Sequence, residues 1–508
     1  MKKHLLIGII VLFCGISFAQ PVSPRPKAPE FSLEKARVEA QLRFLASDEM
    51  RGRRTGTPYN NIAARYIAET FRQYGVQPAA GNDYFQVIPF VIKTPPQRAR
   101  FQLTDTPYEL GENLVMLSGD AAELDTRAVF VNHGWVDAEK GIDDYAGKRV
   151  EGKIVVALSG LADDSSPFGA FSAMAKKRDL AAQHGAVALI ELYQFKFPWN
   201  YFKRFMNKER LTVEKEAANP AAKSLPYGWF NESNKELISA LTQSKKGMKA
   251  KLVSTGVPTT PAPSANVAGV IPGADPDLRE EFVVLSAHFD HIGTGQEAGG
   301  RYTEQDSIFN GARDNGMGTV ALLSAAKTLS EKPPRRSVLL LAVTGEELGL
   351  LGSAYYAEHP LIPLEKTIFN LNTDGAGYDD VSAVSPIGFG RTDADRAIET
   401  AAKAFGLNLL PNPAPEQNLF DRSDNVNFAQ AGVPALCLSP GTTGFSDEIK
   451  KHYHQASDNP ETIDFDYMLR YCQVFAHAAR LIADMDAAPF WHEGDKYEAA
   501  GKALYKKP

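Results

Sequence analysis

Seven acidic and imidazole side chains lie where apolar runs of the sequence end or in the loops that follow them. The run EFVVLSAH ends in a histidine, GARDNGMG carries an aspartate just before a helical pattern, and LLLAVTGEE ends in two glutamates. KTIFNLNTD ends in a further aspartate, and the late loop KKHYHQASD supplies another histidine. The candidate residues are His288, Asp290, Asp314, Glu346, Glu347, Asp374 and His454.

Carboxylates and imidazoles in this combination are typical of a divalent-metal site with an adjacent base. Imidazole nitrogen and carboxylate oxygen match the preference of zinc, and a catalytic zinc keeps one coordination position open for water. Two ions about 3.5 to 4 Å apart need a carboxylate between them, which one aspartate can supply with its two oxygens. The spacing of the residues does not by itself assign that bridge.

The apolar runs alternate with helical patterns, and this alternation predicts an α/β fold. EFVVLSAH, RSVLLLAVT, KTIFNLNT and VPALCLS are strand-like, whereas GTVALLSAAKTLSEK and YMLRYCQVFAHAARLIADM are helix-like. Such an order indicates a mixed, mostly parallel sheet flanked by helices on both faces. Ligands in these folds bind at the carboxyl ends of the strands, where the candidate side chains fall.

A chain of 508 residues is too long for one ordinary domain. Between about residues 107 and 256 the pattern changes to strand-like runs such as RAVFVNHGWV and GKIVVALSG, which indicates a separate inserted module. We therefore expect a discontinuous catalytic domain of residues 33–106 and 257–490, an insert of residues 107–256, and a solvated polar tail of residues 491–508.

The first residues, MKKHLLIGIIVLFCGISFAQ, have a basic start, a short apolar run and the small residues Ser17 and Ala19. This pattern predicts a signal peptide of residues 1–19 and an exported protein, periplasmic or secreted. No later apolar stretch reaches the roughly 20 residues of a membrane span. After cleavage Cys437 and Cys472 remain, either as a disulfide or as two buried thiols.

The net charge of -6 combines many charges of both signs. No long basic run indicates nucleic acid or an anionic membrane as a partner.

Five motifs, HFD, GARDNGMG, TGEELGLLGS, NTDGAG and YHQASD, resemble in sequence and order those of the leucyl aminopeptidase-like, co-catalytic di-zinc metallopeptidases of clan MH. The resemblance extends from roughly Leu33 to Ala487. Within the insert, DDYAGKRVEGKIVV and AAQHGAVALI resemble the protease-associated domain of many members, a mainly-β module.

The resemblance implies two Zn²⁺ per chain and a role for each candidate. His288, Asp314 and Asp374 correspond to the ligands of one zinc, and Asp314, Glu347 and His454 to those of the other, with Asp314 as the bridge. Glu346 corresponds to the general base, Asp290 to the residue that orients His288, and Tyr453 to the tyrosine that hydrogen-bonds the developing oxyanion. The implied function is an aminopeptidase that acts on peptides with a free amino terminus.

Three other functions remain open from the sequence. A glutaminyl cyclase would use one zinc on a similar scaffold, and a glutamate-type carboxypeptidase would need an arginine cluster, for which Arg301, Arg313 and Arg422 are candidates. A metal-free, receptor-like binding protein is the non-enzyme alternative. Asn425, in SDNVNF, stands where many relatives have histidine, and His291, in HFDHIG, is expected to be a structural or solvent-facing histidine.

Overall fold

The computed structural model describes residues 32–162, 167–195, 197–214, 224–232, 234 and 236–507. The expected signal peptide lies outside these residues. The helices are α1 (Lys35–Leu45), α2 (Pro58–Gln73), α3 (Pro167–Gln183), α4 (Trp199–Met206), α5 (Glu236–Gln243), α6 (Met317–Glu331), α7 (Leu351–Glu358), α8 (Asp395–Ala404), α9 (Asn425–Gln430), α10 (Asp447–His452), α11 (Phe465–Ala483) and α12 (Glu498–Tyr505).

The strands, in chain order, are β1 (Gln77–Pro78), β2 (Phe85–Ile88), β3 (Phe90–Lys93), β4 (Ala99–Leu103), β5 (Thr106–Glu109), β6 (Leu114–Ser118), β7 (Ala122–Phe130), β8 (Val136–Asp137), β9 (Ile142–Asp143), β10 (Ile154–Leu158), β11 (Ala188–Leu192), β12 (Arg210–Val213), β13 (Tyr227–Phe230), β14 (Met248–Ser254), β15 (Thr259–Pro261), β16 (Ser264–Ile271), β17 (Phe282–His288), β18 (Gly293–Thr294), β19 (Ile308–Phe309), β20 (Ser337–Val343), β21 (Thr367–Thr373), β22 (Ala383–Ile387), β23 (Asn408–Leu409) and β24 (Ala435–Pro440).

The larger sheet has the order β1-β16-β20-β17-β21-β24-β22-β23, and β2 also pairs with β16. Its centre, β20-β17-β21-β24, is parallel. Antiparallel strands flank that centre, because β16 runs against β20 and β22 runs against β24. The predicted α/β fold with a mixed sheet is confirmed. Among the described strands the sheet is less parallel than expected, with four parallel and four antiparallel pairings, and most of the candidate residues end or follow strands of its parallel centre.

Helices cover both faces of this sheet. In β17 and β20 alternate side chains point to opposite faces, as strand geometry requires. Leu285 and Leu340 pack with α1, α2, α6, α8 and α11 in one core, whereas Val284 and Leu339 pack with Tyr356 of α7 and Phe428 of α9 in another. Burial on both faces explains why these strands are apolar throughout rather than alternating.

The second sheet has the order β5-β4-β14-β7-β10-β11-β13-β6 and is built entirely from strands between Ala99 and Ser254. It contains β4, which lies before the boundary expected at residue 107. Apolar clusters line both of its faces, one around Phe101 and Phe230 and the other around Trp229 and Val155. A small sheet has the order β12-β3-β15. Strand β12 lies between Ala99 and Ser254 in the chain, whereas β3 precedes and β15 follows that range.

The carboxyl-terminal segment, expected to be a solvated tail, is folded. Trp491 is buried, and its indole Nε1 donates to the carbonyl of Gly432. Helix α12 follows, and Tyr505 donates from its hydroxyl to the carbonyl of Thr367. The segment is mostly polar, so its sequence did not indicate that Trp491 and Tyr497, together with the preceding Phe490, pack against the main domain.

Candidate metal centre

The candidate ligands meet at the carboxyl edge of the parallel centre. His288 is the last residue of β17, Glu346 and Glu347 follow β20, and Asp374 follows β21. These three strands are neighbours in the sheet, so their ends lie side by side. Asp314 comes from the turn Ala312–Gly316 before α6, and His454 follows α10.

The side chains form two groups that share Asp314. His288 Nε2 lies 3.2 Å from Asp374 Oδ1 and 3.4 Å from Asp314 Oδ1. His454 Nε2 lies 3.3 Å from Asp314 Oδ2 and 3.0 Å from Glu347 Oε2. The two oxygens of Asp314 therefore face two different imidazoles. The five residues expected as ligands are all brought together.

The donor set suits zinc. Ligand atoms of His288, Glu346 and Asp374 lie within 4.8 Å of one another, and so do those of His291, Asp314 and Glu347. Nitrogen and carboxylate oxygen are the donors that zinc takes, and a buried carboxylate-rich site is unfavourable unless cations or protons compensate its charge. The residues present therefore fit a pair of zinc ions.

His291, expected to be structural or solvent-facing, is buried inside this cluster. Its Nδ1 lies 2.6 Å from Glu347 Oε1, and among the described residues its Nε2 has no hydrogen-bond partner. A sequence signal existed, because HFDH places a second imidazole three residues after His288 in the same loop. The imidazole ring thus extends the group around Asp314 and Glu347.

Asp458 positions the turn that carries Asp314. Its carboxylate accepts the backbone N–H of Arg313 at 2.9 Å and that of Asp314 at 3.1 Å. Gly311 precedes the turn with φ of 59°, and a Cβ there would lie 2.4 Å from the carbonyl oxygen of Asp314 and 2.6 Å from the ring of His291. The position therefore requires glycine.

Asp290 is buried beside His288, but its carboxylate is not the nearest oxygen to that imidazole. His288 Nδ1 lies 3.2 Å from the backbone oxygen of Asp290 and 3.8 Å from its Oδ1. The carboxylate instead accepts hydrogen bonds from Thr55 Oγ1 at 2.9 Å and from the backbone N–H of Glu346 at 3.3 Å. Asp290 thus links the loop after β17 to the loop after β20.

Glu346 faces the cavity beside the ligands. Burial raises the pKa of its carboxyl well above the ordinary value; His288 opposes this shift, and the charges of Asp374 and Glu347 add to it. A carboxylate with a raised pKa takes up a proton more readily near neutral pH than an ordinary glutamate.

The cavity beside these residues opens to solvent and contains about 810 Å³ of empty space, part of which is open solvent. Four carboxylates line it, those of Asp314, Glu346, Glu347 and Asp374. Its lining also includes Ile387, Leu419, Cys437, Phe445 and Ile449. Tyr453 also lines the cavity and stacks on the ring of His454 with centroids 4.1 Å apart.

The three arginines considered for a substrate-binding cluster do not converge. Arg422 lines this cavity, whereas Arg301 lines a separate surface depression with Lys450 and Lys451. Arg313 is buried and pairs with Glu448 at 3.3 Å. One arginine at the cavity is not the cluster that a glutamate-type carboxypeptidase would need.

Asn425 is buried, and its side-chain N–H donates to the carbonyl of Phe420 at 2.9 Å. Cys437 and Cys472 are buried free thiols.

Among the described residues, no helix has the length and apolar character needed to cross a membrane.

Residues 266–479 match the family model described as Peptidase family M28. A curated relative, "Aminopeptidase YwaD" of Bacillus subtilis (strain 168), is 27% identical over 238 residues, which cover 45% of this chain and 46% of the relative. A "Vacuolar membrane protease" of Saccharomyces cerevisiae (strain ATCC 204508 / S288c) is 36% identical over 114 residues, covering 22% of this chain and 10% of that protein. The match thus spans less than half the length of each of these two relatives.

The fold is similar to the solved structure titled "Aminopeptidase from Aneurinibacillus sp. strain AM-1". The TM-score is 0.50 at 19% sequence identity, and the alignment covers 88% of this chain and 93% of the other. The segment matched by the family model contains the whole cluster of candidate ligands. Residues 266–479 of the chain are thus similar to peptidase family M28.

Proposed function

We propose that the protein is an exported aminopeptidase that uses two zinc ions to hydrolyse the amino-terminal peptide bond of peptides. The observation that supports this most directly is Asp314, whose two oxygens face His288 on one side and His454 on the other. That arrangement suits a carboxylate bridge between two ions. The aminopeptidase names of the Bacillus and Aneurinibacillus proteins agree with the proposal.

In this proposal His288, Asp314 and Asp374 hold one zinc, and Asp314, Glu347 and His454 hold the other. Bound zinc supplies a Lewis acid and lowers the pKa of a water ligand toward about 7. Glu346 accepts the proton of the attacking water and delivers it to the leaving nitrogen. Tyr453 donates its O–H to the carbonyl oxygen of the scissile bond, where negative charge develops.

The substrate binds with its amino terminus toward the carboxylates that line the cavity. A protonated amino terminus is attracted by the carboxylates of Asp374 and Glu347, whereas a blocked terminus carries no positive charge. The apolar residues of the lining can contact the side chain of the first residue. We also propose that residues 1–19 are a removed signal peptide and that the segment carrying the second sheet is a protease-associated insert.

Zinc content and cleavage specificity test the proposal on the mature chain. We expect about two zinc ions, activity on amino-acid anilides and free peptides, and none on amino-terminally blocked peptides. Glu346→Gln should keep both ions and lose about 100-fold or more in kcat. Glu358→Gln, at an exposed position in α7, serves as the matched control and should be fully active.

Other results would replace the proposal. One zinc with cyclisation of amino-terminal glutamine would indicate a glutaminyl cyclase, and absence of both metal and turnover would indicate a binding protein. Cleavage from the carboxyl end would indicate a carboxypeptidase.

A further inference from the structure

The short segment Gly52–Thr55, between α1 and α2, contacts the loops that carry the candidate metal ligands. Arg53 is 1% exposed, and its guanidinium donates to four backbone carbonyls. The acceptors are Phe289 at 2.8 Å, Leu45 at 2.7 Å, Asn310 at 2.5 Å and Gly311 at 3.0 Å. Three of these carbonyls belong to the two loops that carry His288 and Asp314.

The charge of Arg53 is as informative as its hydrogen bonds. Burial lowers the pKa of its guanidinium to about 10, so it remains a cation at neutral pH, and the carboxylates of Asp458, Asp290, Asp314 and Glu347 surround it. None of them forms an ion pair with it among the described residues. Burying a charge without an ion partner is unfavourable. At this position the positive charge of Arg53 offsets the negative charge of the surrounding carboxylates.

Thr55 joins the third ligand-bearing loop to the same segment. Its Oγ1 lies 2.9 Å from Asp290 Oδ2, and it accepts the backbone N–H of Gly345 at 2.9 Å. Gly345 immediately precedes Glu346 and Glu347. One hydroxyl therefore ties the loop after β17 to the loop after β20.

The segment fits too closely to move independently of these loops. Gly52 has φ of 67°, and a Cβ there would lie 2.5 Å from the oxygen of Gly293 and 2.6 Å from that of Phe309. Asn60 Nδ2 donates to the carbonyl of Arg53 at 3.0 Å, which anchors the segment to α2. The segment Gly52–Thr55 therefore holds three separate loops in fixed positions relative to one another.

We propose that Arg53 and Thr55 are positioning residues of the metal centre, which hold the loops of His288, Asp314 and Glu346–Glu347 in register and thereby set zinc affinity. The proposal rests on the metal ligands of the proposed function, but not on the reaction. It predicts that the segment keeps the ligands in place before metal binds, through its hydrogen bonds and through the charge of Arg53. Outer residues that fix metal ligands typically change metal affinity by 10- to 100-fold when they are lost.

The test compares two buried arginines in the mature chain. Arg336 is also 1% exposed, and it binds Glu281 Oε2 at 2.6 Å and the carbonyls of Ala483 and Met485. It lies at the amino end of β20, which is the opposite edge of the sheet from the candidate ligands. We expect Arg53→Met and Arg336→Met both to lower the urea midpoint of the metal-free protein. Only Arg53→Met should weaken zinc binding, by at least tenfold, in competition with a chromogenic chelator.

A second pair keeps the proposal testable if Arg53→Met does not fold. Thr55→Val removes one hydroxyl and should weaken zinc binding, whereas Thr55→Ser should restore it. Thr328→Val removes a buried hydroxyl of α6 that donates to the carbonyl of Ser324 at 2.8 Å, and it should leave zinc binding unchanged. Wild-type affinity in Thr55→Val, or equal weakening in Arg53→Met and Arg336→Met, overturns the proposal.

Failure of this inference is distinguishable from failure of the proposed function. If the wild-type protein binds no zinc, the proposed function is wrong. If the wild-type protein binds two zinc ions and the Arg53 and Thr55 variants bind them equally well, only the positioning role is wrong.

Discussion

His291 Nδ1 lies 2.6 Å from Glu347 Oε1, while His454 Nε2 lies 3.0 Å from Glu347 Oε2. The carboxylate of Glu347 is therefore held between two imidazoles. Both of its oxygens are occupied, which fixes the orientation of a side chain that otherwise has three rotatable bonds.

We expect His291→Ala to weaken the zinc site of Asp314, Glu347 and His454 by about 10- to 100-fold, because Glu347 loses the partner that orients it. The site of His288 and Asp374 should change less. A zinc titration that resolves the two sites measures both affinities. His359→Ala, at an exposed position after α7, is the control, and equal loss at both sites would contradict the prediction.

Tyr453→Phe should lower kcat by about 100-fold or more, since one donor to the developing oxyanion is lost. The zinc content should stay at that of the wild type, and KM should change little. Steady-state kinetics with an amino-acid anilide measure the effect. Tyr201→Phe, at a side chain 66% exposed, should match the wild type, and a full-activity Tyr453→Phe would exclude the assigned role.

The pH dependence of Tyr453 follows from its surroundings. Burial, then the charges of Asp314 and Glu347, raise the pKa of its hydroxyl above the ordinary value. The hydroxyl therefore stays protonated and able to donate throughout the neutral and mildly alkaline range. Any alkaline limb of the wild-type pH–rate profile below about pH 10 should persist in Tyr453→Phe.

Glu191→Gln should destabilise the segment that contains the second sheet by about 3 kcal/mol. Glu191 and Lys177 form an ion pair at 3.0 Å with both side chains 1% exposed, so the substitution leaves a buried ammonium without its counterion. Urea unfolding monitored by tryptophan fluorescence reports the change. Asp125→Asn breaks the pair with Lys251, whose side chains are 74% and 58% exposed, and should cost less than about 1 kcal/mol.

Cys437 and Cys472 should both be inert in the native protein. Burial raises the pKa of Cys437 and that of Cys472 to about 12, so the thiolate is scarce at pH 8 and increases about tenfold with each pH unit. A chromogenic disulfide should label no thiol in the native state and two after denaturation without reductant. Detection of no thiol after denaturation would indicate a disulfide and contradict the structure.

The same shifts predict a loss of stability at alkaline pH. In the unfolded chain the thiols lose their protons near pH 9, whereas in the folded protein they retain them to about pH 12. The unfolded state therefore binds fewer protons above pH 9, and the free energy of unfolding falls as the pH rises from there. Cys472→Ala should have a smaller decline over this range than the wild type, as measured by urea unfolding at several pH values.

Local patterns in the sequence were sufficient for the α/β class and for the seven candidate residues of the site, five of which the resemblance to the clan MH peptidases then implied as ligands. Strand-like runs end in histidine or are followed by carboxylates, and the carboxyl ends of parallel strands must share one edge of the sheet. His288, Glu347 and Asp374 could therefore be assigned to one site without coordinates. The same local signal failed at residues 491–508, because isolated aromatic residues in a polar segment have no periodicity that reports burial.

Only the tertiary structure decided which groups surround the ligands. Arg53 and Thr55 lie more than 200 positions before most of the loops they contact, and no periodicity relates their side chains to those loops. Likewise the sequence placed His291 in the right loop, but not its ring against Glu347. Periodicity determines which face of an element is buried. Contacts between loops that are distant in sequence depend instead on where the packed elements end, and those positions are set only when the chain folds.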